Sequence, residues 1–134
     1  MISIIGIRSS FRGLHYWKDA PSGIKFLGSV HRHTFYVEVE FQMNSRASLD
    51  RQLEFFTVQR FLDRYLEHYK RKSFSFSCEQ LAAKIWLYFF DIFEQEHAIE
   101  SCKVLVSEDN ENYGGIDAIW LGLEKKGIEA LLCE

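Results

Sequence analysis

Proline and cysteine are scarce in this sequence, and neither charge nor hydrophobicity is concentrated in one stretch. Pro21 is the only proline, and no low-complexity segment or internal repeat is visible. The three cysteines, Cys78, Cys102 and Cys133, are odd in number, widely spaced and form no Cys-x-x-Cys pair. They read as free thiols in a reducing compartment rather than a disulfide framework. No basic tract stands out among 16 basic and 19 acidic residues, and the net charge is −3. Phosphate binding needs a positive footprint, so nucleic acid is not the expected partner. The most apolar stretch, residues 85–93, is broken by Asp91 and flanked by Lys84 and Glu94. It falls well short of the ~20 residues a membrane helix needs. The apolar start of the chain is too short for a signal peptide, and Arg8 follows it instead of preceding it. The expectation is a cytoplasmic protein with no membrane partner.

The chain is rich in core-building residues. It has 134 residues, 47% hydrophobic and 16% aromatic, enough for one domain spanning residues 1–134. Residues 2–12 are Ile-rich and read as a first strand; residues 13–29 form a long connection holding Pro21, Gly13, Gly23 and Gly28. Residues 30–42 are the clearest strand: His31, His33, Phe35, Val37, Val39 and Phe41 alternate with polar neighbours. Residues 43–48 read as a turn and 49–70 as a helix, with Leu49, Leu53, Phe56, Phe61, Tyr65 and Tyr69 near helical spacing. A basic, Ser-rich loop follows at 70–77. A second helix is expected over 78–96, capped by Ser77 with Glu79 and Gln80 in its first turn. Residues 102–107 and 113–123 read as strands around an acidic turn, and 124–134 as a tail of undefined shape. The order β-β-α-α-β-β predicts an α+β fold with an antiparallel four-stranded sheet.

The sharpest local feature is His31-Arg32-His33. Residues two apart on a strand share a face, so both imidazoles project from the side that carries Phe35 and Val37. Zinc takes neutral imidazole nitrogen at ~2.0–2.1 Å and prefers four ligands. The pair supplies two, and His15 in the long connection is the candidate for a third, leaving one position open to water or substrate. A His-x-His pair on a strand is, by itself, more often not a metal site. His68 and His97 carry no such pattern.

The order of these motifs resembles the 6-pyruvoyl- and 6-carboxytetrahydropterin synthase family, over roughly residues 3 to 119. That family carries Phe-x-x-x-His, matched by Phe11 to His15, then Cys-x-x-x-His-Gly-His and an aromatic strand, matched by Leu27, His31, Arg32, His33 and Phe35. Leu53-Glu54-Phe55-Phe56 resembles its first helix start, Glu67-His68 its Asp-His pair, Ser77 to Ala82 its second helix start, and Val106-Ser107-Glu108-Asp109 its Val-x-Glu-Thr.

The resemblance implies the T-fold, with two helices on one face of the sheet and protomers joined into a barrel as a homo-oligomer, ligand sites lying between subunits. It implies Zn2+ on His15, His31 and His33, Glu108 clamping a pterin ring, and His68 with Glu67 moving protons. Two departures stand out: Leu27 replaces the family's catalytic cysteine, and Arg32 replaces the glycine between the paired histidines. The expected activity is a zinc-dependent lyase converting dihydroneopterin triphosphate to 6-carboxytetrahydropterin, on the route to deazapurines such as queuosine, or to 6-pyruvoyl-tetrahydropterin. The alternative is a catalytically impaired homologue that binds zinc and a pterin or purine.

Overall fold

A computed structural model describes residues 1–44, 49–70 and 72–133. The expected turn at 43–48 therefore falls largely outside the described residues, as does the end of the C-terminal tail.

Two long strands, β1 (Ile2–His15) and β2 (His31–Asn44), pair antiparallel along their whole length. β4 (Ile99–Glu108) pairs antiparallel with β2, and β5 (Asn112–Ile119) with β4. The four-stranded antiparallel expectation needs one correction. A two-residue strand, β3 (Ser73–Phe74), adds to the free edge of β1 in parallel, giving a five-stranded sheet in the order β3-β1-β2-β4-β5. Sequence could not reveal it, because two residues carry no period and the pairing is decided by where the preceding helix delivers the chain.

The period-2 pattern of β2 places Phe35, Val37, Val39, Phe41 and Met43 on one fully buried face. The opposite face is polar and carries cross-strand pairs, Arg8 with Glu38 at 3.1 Å and Lys103 with Glu40 at 3.2 Å. On the apolar face, α1 (Phe55–Leu66) packs against β1, and α2 (Cys78–Phe93) against β4 and β5.

α1 begins six residues later than its apolar spacing predicts. Glu54 caps it by accepting the N–H groups of Phe56 and Thr57 at 2.7 and 2.8 Å, while Leu49 is exposed. α2 starts as expected, with a reciprocal capping box between Ser77 and Gln80. The chain end corrects the sequence reading again. β5 stops at Ile119 and a third helix, α3 (Gly122–Leu132), lies on the outside of α2, tied by Lys125 to Asp91 at 2.8 Å. Among the described residues no helix is long and apolar enough to cross a membrane.

Trp86 sits at the centre of the core, fully buried, stacked on Phe90 and tilted against Trp120, its N–H donating to the Cys102 carbonyl at 3.2 Å. Trp86→Ala is expected to lower the unfolding free energy by about 3–5 kcal/mol, read as a fall in the urea midpoint. A loss below about 0.5 kcal/mol, the range of ordinary surface substitutions, would show that this packing is not what holds the helix layer to the sheet.

Candidate functional site

The β1–β2 register builds one end of the apolar face into a histidine cluster. His15 is not in a loop, as the sequence suggests, but is the last residue of β1, directly across from His31; Gly13 lies across from His33 and Phe11 from Phe35. Period-2 alternation puts His15, His31 and His33 on the same face as the core phenylalanines. Gly13 allows this crowding, since a Cβ there would lie 2.9 Å from the Phe74 ring and 3.3 Å from Phe35. The ring centres of His15 and His31 are 5.8 Å apart, those of His31 and His33 4.5 Å, and those of His15 and His33 6.4 Å.

Each ring spends one nitrogen on an oxygen acceptor. His15 Nε2 meets the Phe76 carbonyl at 2.7 Å, His31 Nδ1 the Ser29 carbonyl at 2.6 Å, and His33 Nδ1 the Asp109 carboxylate at 2.5 Å. A carbonyl or carboxylate oxygen can only accept, so the hydrogen of each neutral ring sits on that nitrogen. The remaining nitrogens, His15 Nδ1, His31 Nε2 and His33 Nε2, keep their lone pairs.

Glu108 ends β4 on the same face, across from Phe35. Its carboxylate comes to 3.4 Å from His15 Nδ1 and 3.8 Å from His33 Nε2. His15 Nδ1 is buried and has no hydrogen-bond partner. A buried lone pair and a partly exposed carboxylate thus face each other, an arrangement a cation between them would satisfy. Among the described residues, no three such side chains converge closely enough as they stand to enclose an ion. The ring centres nevertheless bracket the about 5 Å spacing of imidazoles sharing a tetrahedral ion with ~2.0–2.1 Å bonds, so the backbone already supplies ligand spacing. The donor set fits zinc.

A cavity of about 420 Å³ opens beside this cluster, walled by His15, His31, Glu108, Leu27, Trp17 and Cys78. That volume suits a small heterocycle. Trp17 is 44% exposed at this cavity, whereas Trp86 and Trp120 lie in the core. Glu79 also lines the wall, seated over Gly114, where a Cβ would overlap its carboxylate. Cys78 was not singled out by sequence as a site residue. It is far from Leu27 in the chain, and only the fold puts both on one wall. Burial, then the nearby Glu108 and Glu79 carboxylates, push its thiol up to about 11, so it carries its proton at neutral pH.

Glu67 and His68 are not brought into this cavity. They lie in a 3-10 turn after α1, with Glu67 bonded to Lys70 at 2.6 Å and His68 exposed against Tyr65. A second hollow of about 580 Å³ lies on the polar face of the sheet, lined by Arg8, Tyr36, Glu38 and Ser107 and away from the histidines; Tyr113 borders both hollows.

No family model and no curated protein matches the sequence. Solved structures do match. The chain is similar to 6-pyruvoyl tetrahydropterin synthase from Plasmodium falciparum at TM-score 0.69 and 12% identity, covering 88% of this chain and 98% of that one. For the Plasmodium vivax synthase the TM-score is 0.68 at 12% identity, covering 89% and 99%. For the Caenorhabditis elegans synthase it is 0.66 at 12% identity, covering 88% and 96%. At such identity the likeness speaks for architecture, and this chain has the fold of the 6-pyruvoyl tetrahydropterin synthases.

Proposed function

We propose that this chain is a zinc-dependent lyase of pterin metabolism, acting on the side chain of dihydroneopterin triphosphate to give a 6-carboxy- or 6-pyruvoyl-tetrahydropterin. The observation that carries the reading is the histidine cluster: three rings, each anchored through one nitrogen, offer three unspent lone pairs beside a carboxylate and a ligand-sized cavity. His15 through Nδ1, and His31 and His33 through Nε2, would hold the ion. When bound, zinc would polarise the substrate's side-chain oxygens and make the adjoining C–H bonds more acidic.

The chain's own residues do the rest. Glu108 accepts the paired N–H groups of the aminopyrimidinone edge, as a carboxylate does from arginine. Trp17 and Tyr113 offer apolar ring faces at the cavity. Cys78 holds a proton against the cavity wall and is the thiol able to deliver it, where Leu27 cannot. His68 and Glu67 serve proton transfer only if a second copy brings them to the cavity. The edge strand β5, with its exposed Tyr113 and Ile119, supplies an open hydrogen-bonding edge for such a homo-oligomer.

Leu27 on the cavity wall favours a second reading, a protein that binds zinc and a pterin or purine without turning it over.

Elemental analysis of the purified protein should find about one zinc per chain, absent from a His31→Ala, His33→Ala double variant. Metal-free protein that also refuses added zinc would remove both readings. With zinc present, chromatographic detection of product from dihydroneopterin triphosphate separates lyase from binder. Site-resolved alkylation should find Cys78 slow at neutral pH and faster as pH approaches about 11, with added pterin slowing it further. The exposed Cys133 is the internal standard; Cys78 labelling as fast as Cys133 at neutral pH would take the thiol off the buried wall.

A further inference from the structure

Glu108 and Asp109 are neighbours with opposite tasks around one ring. Glu108 ends β4 facing inward, and Asp109 then takes a left-handed conformation at φ 53°, followed by Asn110 at φ 60°. This hairpin turn swings the Asp109 side chain back onto β2. Its backbone N–H donates to the Thr34 carbonyl at 2.7 Å, and Oδ1 accepts the Thr34 N–H at 3.0 Å. With both its main chain and one carboxylate oxygen tied to Thr34, the half-exposed Asp109 side chain is held in one orientation, with Oδ2 aimed at His33 Nδ1 at 2.5 Å. Among the three histidines, His15 and His31 are anchored by neutral carbonyls; His33 alone is anchored by a charge.

We infer that Asp109 is a positioning residue: it locks His33 as the Nδ1–H tautomer and turns the Nε2 lone pair toward His15, His31 and Glu108. A carboxylate behind a ligating imidazole fixes the ring's orientation and raises its basicity, and loss of such a partner typically weakens metal binding by 10–100-fold. An ordinary surface ion pair would not do this, because it would leave one partner free to turn. Here the Thr34 main chain removes that freedom. The inference about ring orientation stands on the turn geometry; its consequence for metal affinity rests on the zinc reading above.

Asp109→Asn tests it with little disturbance to the turn. Asparagine tolerates left-handed φ, and its Oδ1 can still accept from Thr34. Its amide nitrogen, however, can only donate, so it now faces His33 Nδ1 with hydrogen and drives the ring's proton to Nε2, the nitrogen that should be bare. Nitrogen-15 shifts of the neutral His33 ring in metal-free protein should report Nδ1–H in the parent and Nε2–H in Asp109→Asn, with the melting temperature retained. Asn110→Ala strains the same turn without touching His33 and should leave the tautomer unchanged. Zinc affinity by competitive titration should fall about 10–100-fold in Asp109→Asn. An unchanged His33 tautomer in Asp109→Asn, or a switch caused equally by Asn110→Ala, overturns the inference. A tautomer switch in a protein that binds no zinc upholds Asp109 as the residue that orients His33 and sinks the zinc reading alone.

Discussion

The register between β1 and β2 is the constraint on which the rest of the site depends. Side chains alternate along a strand, so a one-residue slip would turn every inward residue outward. With His15 held across from His31 and Phe11 across from Phe35, the same alternation that buries Ile7, Val37 and Val39 also delivers three imidazoles to one end of the buried face. The core fixes the register, because any slip would expose Phe35, Phe41 and Met43 to water at ~1.5–3 kcal/mol for each buried side chain. Core packing and site geometry are therefore one problem solved once. The histidines need no loop to hold them, only the continuation of a sheet pinned by hydrophobic burial further along.

What the sheet supplies in position, the chain around it supplies in orientation. The Phe76 carbonyl, just before α2, holds His15; the Ser29 carbonyl, just before β2, holds His31; the hairpin after β4 holds His33 through Asp109. Three separate segments thus each immobilise one ring and leave its other nitrogen unspent. The β4–β5 hairpin contributes twice, with Glu108 pointing into the cluster and Asp109 bracing it from behind. The left-handed turn at Asp109 and Asn110 is what lets adjacent residues serve opposite sides of the same imidazole.

Much of the fold is legible in the sequence because its elements carry strong periods. The alternation from His31 to Phe41 identifies β2 and its buried face, and Ser77 with Gln80 marks the start of α2 through capping chemistry. The pieces that escape are those whose signal is weak or non-local. The Leu49-to-Phe56 spacing looks helical, yet the helix waits for the Glu54 cap. β3 is two residues stitched to an edge, and α3 is a short helix with no buried residue, held to α2 by Lys125 against Asp91.

By itself the sequence determined the paired histidines on one strand face and the succession of two helices and β4 after them, because each carries a local period or a capping signal. Only the tertiary structure decided that His15 stands across from His31, that Cys78 shares a wall with Leu27, that Glu67 and His68 stay outside the cavity, and that Asp109 grips His33. Those relations join residues tens of positions apart in the chain. They are set by strand register, by the burial of the aromatic core and by one left-handed turn, none of which a local pattern of residues can encode.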